Sequence, residues 1–533
     1  MKRFLLILVV AATLARGRGI DRPWSHGDHN GWGGAFYSNI ARNYVRYGYL
    51  ETRFAPVIST GQVAPEDRRY YLTHPPGIGL AVSVAFHLFG EHEWTARLVP
   101  LLFGLGSIVL VFRIGSKIAS REIGLVAAAL FSLAPLETLY GAHVDPQGPP
   151  VAFFGLLLLL AYEERRPLLG AAALVLGAGF DWPIHYLSGL LAFHALFFRP
   201  DRRRWAVGLF AGSLLLVTSF LLYARFVAPH PRQQYLQSTP GDAFLFWSGV
   251  RVPPGRIPGR PIETRALGEW LLRMASHLHS LYTLPLLALA AFGAAFAARG
   301  GSSALSILLL WGLAHILMFP LGAFVHDYWS MYLAPGVSLA AASGLVRIAD
   351  SLRRGRTLFL PASSAALSLF LLTAGIGRVD SLPREPPALG KKLHELTGPD
   401  EGILMLNPLD ARDAYYADRV IRDRVNRLAL FEEALRGSVR YRYFVVPARA
   451  YRDRPRKPLF NVVGSCCRAY SFEEYYLFDL EPLSSTAPPR NVAAPAASKE
   501  KEDVMRRSLF LAGSVFHLTG CFASPTAIPY NAR

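Results

Sequence analysis

The stretch WTARLVPLLFGLGSIVLVFRIGSKIASREIGLVAAALFSLAPLETL, residues 94–139, decides the fold class. It contains two apolar runs, 94–115 and 123–139, separated by a short turn that carries Lys117 and Arg121. A helix of about 20 apolar residues spans the hydrocarbon core of a bilayer. The stretch therefore predicts two membrane-spanning helices joined by a tight basic turn.

The same pattern recurs along the chain, in which 52% of the residues are hydrophobic and the mean hydropathy is +0.26. Together with the two runs above, the further apolar runs predict about eleven spans and a mainly α, polytopic transmembrane fold. The further runs are 4–15, 149–162, 167–181, 184–198, 205–226, 274–298, 303–324, 329–347 and 357–378.

The distribution of charge predicts the orientation of these helices. Alternate turns are basic, near residues 117–121, 165–166, 199–204, 299 and 347–356. The opposite short turns, 140–148, 181–184 and 324–328, carry Asp, His and aromatic residues but no Lys or Arg. Because Lys and Arg collect in cytoplasmic loops, the N-terminus is predicted to be cytoplasmic and the C-terminal part outside the cell inner (plasma) membrane. The net charge of +18 is thereby explained without a nucleic-acid partner.

The pattern changes after the last apolar run. Residues 1–380 form the predicted transmembrane domain, and 385–482 a small soluble α/β domain on the outer face. Its predicted strands are 402–406, 441–446 and 475–480, and its predicted helices are 410–425 and 428–437. Residues 483–533 read as a linker rich in Ser, Ala and Pro, followed by a hydrophobic tail.

Asp28 precedes a segment with the periodicity of an amphipathic helix in the first outer loop, residues 20–92. Phe36, Ile40 and Tyr44 recur at helical spacing, which is typical of a helix lying in the membrane interface. A carboxylate at this position has two readings. It caps the helix, or it acts as a base beside the low-dielectric lipid.

Three further groups of polar residues stand in predicted outer turns, where an intramembrane or juxtamembrane charge indicates function. Each also has an ordinary reading, as a loop histidine, a turn or part of an aromatic belt. The groups are His74 in YYLTHPPGIG, Asp145 with His143 in YGAHVDPQGPP, and His326, Asp327 and Tyr328 in FVHDYWSMYLAPG.

Cofactor signals are weak in this sequence. His26, Asp28 and His29 allow a divalent metal, but their spacing is too close for a strong pattern. The three cysteines lack metal-type spacing, and no nucleotide-binding motif stands in a suitable context. No cofactor is therefore assigned, and a divalent metal remains open.

The order of the motifs resembles a known superfamily. A short first span is followed by an outer loop with an acidic residue, an amphipathic helix, and then THPPGIGLAVSVAFHLFGEHEWTARLVPLLFG, residues 73–104. This order, from Asp28 to Pro335, is similar to that of bacterial GT-C glycosyltransferases related to protein O-mannosyltransferases and lipid A aminoarabinose transferases.

The resemblance implies an activity. Enzymes of this kind transfer a sugar from a polyprenyl-phosphate sugar to an acceptor hydroxyl on the outer face of the membrane. Asp28 would be the general base, and Asp145 would occupy the second acidic position. His74 stands before Pro-Pro, where many relatives carry Lys, and would face the carrier phosphate.

The resemblance also implies residues near the substrate. His326, Asp327 and Tyr328 match the polar turn before a late span of the relatives. Arg256 and Arg260, in the long outer loop 227–273, are candidates to bind the departing phosphate.

Two function classes remain open at this stage. The first is the glycosyltransferase, whose acceptor is a glycolipid, a polysaccharide or a protein. The alternative is a transporter or flippase of lipid-linked sugars, for which inverted repeats and polar residues at the bilayer midplane are typical. The sequence shows no internal repeat, and its polar groups gather at one face, which favours the enzyme.

Overall fold

Proline residues set where many helices begin in the computed structural model, which describes residues 2–27, 29–228, 234–235, 266–299, 303–352, 356–453 and 457–484. Proline suits the first turn of a helix because its missing N–H has no intrahelical partner there. Prolines in the first turn of a helix include Pro135, Pro149, Pro167, Pro183, Pro320, Pro335 and Pro458. The residues before these prolines are left in turns, and several candidate site residues lie in those turns.

The helices up to residue 381 follow the apolar runs of the sequence. They are α1 (Lys2–Gly17), α2 (His29–Tyr47), α3 (Gly77–Phe89), α4 (Glu93–Ile118), α5 (Arg121–Leu133), α6 (Pro135–Tyr140), α7 (Pro149–Glu164), α8 (Pro167–Phe180), α9 (Pro183–Phe197), α10 (Arg203–Val227), α11 (Ala266–Tyr282), α12 (Leu284–Arg299), α13 (Ser303–Met318), α14 (Pro320–Val325), α15 (Ala334–Ser351) and α16 (Arg356–Ser381). A 3₁₀ turn, Asp327–Leu333, precedes α15, and a two-residue strand β1 (Tyr70–Tyr71) pairs in parallel with β2 (Gln234–Tyr235).

The mainly helical fold class is confirmed, whereas the number of spans stays a prediction. Among the described residues, four helical segments are long and apolar enough to cross a membrane: Glu93–Ile118, Pro200–Val227, Asp327–Ser351 and Thr357–Ser381. The pair α11 and α12 makes a fifth if it counts as one span, although it bends by 99°. Two predicted spans, 123–139 and 303–324, are broken in the structure because Pro135 and Pro320 each start a new short helix.

Small residues let these helices approach closely. A Cβ atom added at Gly293 of α12 would lie 1.8 Å from the carbonyl oxygen of Ala340 in α15. A Cβ at Gly115 of α4 would lie 2.7 Å from the Cα of Gly124 in α5. Close backbone packing at small residues is typical of helices in membranes, where packing rather than water exclusion drives association.

The chain divides into two compact units. Among the described residues, the first contains those up to Glu401 and also Pro408–Ile421, and the second contains Gly402–Asn407 and residues 422–484. The first unit therefore includes two parts of the predicted soluble domain 385–482, namely residues 385–401 and Pro408–Ile421. The roles assigned to residues 1–380, 385–482 and 483–533 stay predictions.

The elements after residue 381 are α17 (Ala388–Leu396), β3 (Glu401–Met405), α18 (Ala411–Ala417), β4 (Val420–Arg422), α19 (Leu428–Leu435), β5 (Arg440–Pro447), α20 (Ala448–Asp453), α21 (Pro458–Cys466), β6 (Arg468–Phe472), β7 (Tyr475–Asp479) and α22 (Glu481–Ser484). Strand neighbours follow the order β3-β5-β7-β6, and β7 pairs antiparallel with both β5 and β6. The predicted helix over 410–425 is wrong beyond Ala417. Asp418 adopts a left-handed conformation (φ 43°) that ends α18, and the β-branched Val420 and Ile421 continue as β4. The tail from residue 485 lies outside the described residues.

Candidate active site

Three of the sequence-predicted residues lie outside the part of the chain that the structure describes: Asp28, Arg256 and Arg260. The others stand where helices are interrupted. His74 precedes α3, Asp145 lies in the turn between α6 and α7, and His326 separates α14 from the 3₁₀ turn. Pro-containing breaks thus place polar side chains between apolar helices.

Asp145 is a buried carboxylate held by two hydrogen bonds. Its Oδ1 accepts from the backbone N–H of Gln147 at 2.8 Å, and its Oδ2 accepts from the hydroxyl of Tyr328 at 3.1 Å. The carbonyl oxygen of Gln147 accepts in turn from Tyr332 at 2.8 Å. Burial raises the pKa of Asp145 to about 6, against the lowering effects of the Gln147 N–H, the His74 charge and Tyr328. A carboxyl group with this pKa is suited to gain or lose a proton near neutral pH.

Aromatic and imidazole rings surround this carboxylate. The ring of His143 lies 4.6 Å from that of Tyr328, and its Nε2 lies 3.9 Å from Oδ2 of Asp145. His29, the first residue of α2, brings its ring within 5.0 Å of His326 and 5.9 Å of Tyr328. The residue after Asp28 therefore belongs to the same cluster as Tyr328 and Asp145.

Asp327 is also held by a tyrosine hydroxyl. The hydroxyl of Tyr140, at the end of α6, donates to its Oδ1 at 2.7 Å, and the rings of Tyr140 and Tyr328 lie 5.4 Å apart. The predicted residues Asp145, Asp327 and Tyr328 are thus brought together, with Tyr140 as a link that the sequence did not indicate.

Histidines of this cluster are kept neutral. Burial lowers the pKa of His143 to about 3, and the charges of His29 and Arg97 act in the same direction. Burial likewise lowers the pKa of His326 well below its usual range, with contributions from His29 and His143. Neutral rings in a buried site donate or accept hydrogen bonds without adding charge.

His74 has a partner that the sequence analysis missed. Its Nδ1 lies 2.7 Å from Oδ1 of Asp181, which is fully buried at the end of α8. Burial alone would lower the pKa of His74, but the charge and hydrogen bond of Asp181, with the charge of Asp145, raise it above its usual value. Asp181 stands in one of the predicted outer turns that lack Lys and Arg, which was the signal available in the sequence.

An open apolar cleft of ≈ 490 Å³ lies beside this pair. Pro75, Pro76 and Trp182, the chain neighbours of His74 and Asp181, form part of its wall. The remaining lining residues are mostly aliphatic or aromatic: Val175, Ala178, Gly179, His185, Leu216 and Phe220. An apolar surface therefore lies next to the polar pair of His74 and Asp181.

The segment before Asp28 is held by α18, which belongs to the same compact unit. The backbone N–H of Trp24 donates to the hydroxyl of Tyr416 at 2.8 Å, and Arg412 donates to the carbonyl oxygen of Ser25 at 3.1 Å. At the other end of α18, Asp418 accepts two hydrogen bonds from Arg46 of α2, at 2.8 and 2.9 Å. Sequence reasoning gave no sign of this element, because its partners lie more than 370 residues away.

His26, Asp410 and Asp413 form a group whose ligand atoms lie within 4.8 Å of one another, a possible metal site. The carboxylates are already compensated. Arg412 donates to both oxygens of Asp410, at 2.7 and 2.8 Å, and His26 lies 3.1 Å from Oδ2 of Asp413. An ion would have to displace Arg412, so these residues fit an ion-paired network better than a metal centre.

Comparison with solved structures gives extensive similarity at low sequence identity. ArnT from Cupriavidus metallidurans in the apo state has a TM-score of 0.59 and 14% identity, over 92% of this chain and 99% of that chain. The same protein bound to undecaprenyl phosphate has a TM-score of 0.59 and 15% identity, over 92% of this chain and 100% of that chain. AglB from Archaeoglobus fulgidus, in complex with an inhibitory peptide and a dolichol-phosphate, has a TM-score of 0.54 and 12% identity, over 91% and 75% of the two chains.

The fold is thus that of the GT-C glycosyltransferases, a superfamily of membrane enzymes. More narrowly, residues 73–228 match the family model described as dolichyl-phosphate-mannose-protein mannosyltransferase. These findings confirm the resemblance drawn from the motif order. Comparison with curated proteins gives no match.

Proposed function

We propose that this protein transfers a sugar from a polyprenyl-phosphate sugar to an acceptor hydroxyl on the outer face of the cell inner membrane. The observation that carries the proposal is the combination of a buried carboxylate cluster with a His–Asp pair at an apolar cleft. A prenyl chain needs apolar surface, and its phosphate needs a hydrogen-bond donor. Solved GT-C structures bound to undecaprenyl phosphate or dolichol-phosphate support this class of donor.

In the proposed reaction, Asp28 accepts the proton of the acceptor hydroxyl while the hydroxyl oxygen attacks the anomeric carbon of the sugar. The bond between the anomeric carbon and the phosphate oxygen breaks, and polyprenyl phosphate leaves with both electrons of that bond. Phosphate is a good leaving group, so the residues need only supply a base, donors to the phosphate and a defined geometry. Asp145, held by Tyr328 and Gln147, binds a hydroxyl of the substrate, and His74 donates to the phosphate.

The proposal is tested by reconstituting the protein in liposomes with polyprenyl-phosphate sugars and measuring transfer to glycolipid, polysaccharide and peptide acceptors. Asp28→Asn is expected to lower the rate by a factor of roughly 10² to 10⁴, the usual contribution of a general base. Asp21→Asn, an exposed acidic residue of the same loop, is the matched control and retains activity. Equal rates for Asp28→Asn and wild type, or no transfer by wild type from any such donor, would contradict the proposal.

The proposed orientation is tested separately with single cysteines in a background that lacks the three native ones. Glu51→Cys lies in the proposed outer loop and Lys117→Cys in the last turn of α4, and both positions are exposed. A membrane-impermeant thiol reagent is expected to label position 51 in intact cells with a permeable outer envelope, and position 117 only after lysis. The reverse result overturns the orientation.

A further inference from the structure

His74 and Asp181 come from two different turns that the fold fixes against each other. The indole N–H of Trp182 donates to the carbonyl oxygen of Thr73 at 2.7 Å. A Cβ atom added at Gly77, the first residue of α3, would lie 2.4 Å from the carbonyl oxygen of Gly179. The backbones therefore meet directly beside the 2.7 Å contact between His74 and Asp181, and the pair is a built feature of the site.

Asp181 has little other compensation for its charge. Its side chain is fully buried, and its Oδ2 has no hydrogen-bond partner among the described residues. An isolated buried carboxylate is costly, and an imidazolium partner removes most of that cost. The geometry therefore favours a protonated His74 beside the Asp181 carboxylate.

The hydrogen bond to Asp181 also decides which atom of His74 remains for a ligand. An ionised carboxylate only accepts, so Nδ1 must carry a proton. In the neutral ring Nε2 is then a lone pair that repels a phosphate oxygen, whereas in the protonated ring Nε2–H donates to it. Nε2 has no hydrogen-bond partner within the described part of the chain, and the side chain of His74 is 11% exposed.

Other titratable groups act on this pair from the surrounding elements. Asp145 favours the protonated form of His74, whereas the imidazoles facing the pair disfavour it when they are charged. The titratable groups that face the pair are Tyr71, Asp145, His185, Tyr186, His315, His326 and Tyr332.

We propose that Asp181 is a positioning residue that holds His74 through Nδ1, so that Nε2–H of the protonated ring binds the phosphate of the polyprenyl carrier beside the apolar cleft. The inference rests on the proposed function, in which His74 faces that phosphate. Binding of the phosphate is then linked to binding of a proton. Above the pKa of His74, the affinity falls by about tenfold for each pH unit.

The test measures binding of undecaprenyl phosphate to the purified full-length protein between pH 6 and 9. Wild type is expected to lose affinity as the pH rises. Asp181→Asn removes the charge that favours the protonated ring, so its loss begins at lower pH, with affinity reduced roughly tenfold at neutral pH for each unit of pKa lost. His74→Gln, which donates without a titrating charge, binds weakly with no change over this pH range.

A double variant separates positioning from simple structural support. Lys carries its charge up to high pH without help, so His74→Lys is expected to bind at a level that changes little up to pH 9. In the His74→Lys background, Asp181→Asn no longer weakens binding. If Asp181→Asn weakens binding equally at every pH and in both backgrounds, Asp181 is only structural and the inference is wrong.

Apparent melting temperatures of all variants identify any that fail to fold. If Asp181→Asn fails to fold, the comparison of wild type with His74→Gln tests the pH dependence. The inference and the proposed function fail in different ways. A wild type that binds undecaprenyl phosphate with the expected pH dependence but transfers no sugar refutes the function alone. A wild type that transfers sugar, with a pH profile that Asp181→Asn leaves unchanged, refutes the inference alone.

Discussion

Asp145→Asn is the substitution for which the structure gives the clearest magnitude. Burial raises the pKa of Asp145 from 3.8 to about 6. The difference of about two units corresponds to about 3 kcal/mol. Between pH 4 and about 6, the unfolded chain releases the proton of this carboxyl group while the folded protein retains it. The free energy of unfolding of the wild type therefore falls across this window by about 3 kcal/mol and stays lower above it.

Asparagine has no such proton, so the variant lacks this loss of stability. Apparent melting temperatures in detergent, measured at pH 4.5 and 7.5, isolate the effect, because changes in packing caused by the substitution contribute equally at both pH values. At each pH, the melting temperature of wild type is subtracted from that of Asp145→Asn. This difference is expected to be roughly 5 °C larger at pH 7.5 than at pH 4.5. The variant is also expected to lose sugar transfer.

Asp400→Asn, at an exposed turn, is the control and should show no such pH dependence. A difference between Asp145→Asn and wild type that is equal at both pH values would refute the reasoning. It would mean that the buried carboxyl group does not retain its proton in this window.

Three further substitutions test packing and electrostatics. Glu137→Gln leaves the guanidinium of Arg16, 3.0 Å away and fully buried, without its carboxylate, and is expected to destabilise the protein by about 3–5 kcal/mol, seen as a lower melting temperature. Gly155→Ala places a Cβ atom 2.2 Å from the indole of Trp311, and should cost about 1–3 kcal/mol; an unchanged melting temperature would contradict this packing. Tyr328→Phe removes a hydrogen bond that lowers the pKa of its carboxylate partner, so the acid side of the pH–rate profile should move to higher pH.

The sequence predicts the helices well because apolar runs, turns and proline positions act locally. The predicted run 149–162 lies within α7, and the predicted run 357–378 lies within α16. The breaks at Pro135 and Pro320 were not predicted because hydropathy averages over a proline that interrupts a helix. The early end of α18 was missed for a related reason, since the left-handed Asp418 is a single-residue event.

The candidate site is only partly accessible to sequence reasoning. Topology placed Asp145 and Tyr328 on one side, and the structure joins them by a hydrogen bond. The pairing of His74 with Asp181 spans 107 positions and depends on how two turns pack, which no local pattern encodes. Asp-Trp-Pro reads as an ordinary turn, so Asp181 carried no signal beyond its side of the predicted membrane.

The segment Pro408–Ile421 belongs to the first compact unit, and this has a consequence for biosynthesis. The carbonyl group of Ser25 and the guanidinium of Arg46 leave the ribosome early, but their partners Arg412 and Asp418 are made nearly 400 residues later. These contacts can form only after translation has passed Asp418. A chain that stops short of that point has all the helices up to α16 but lacks α18, whose contacts hold Ser25 and Arg46.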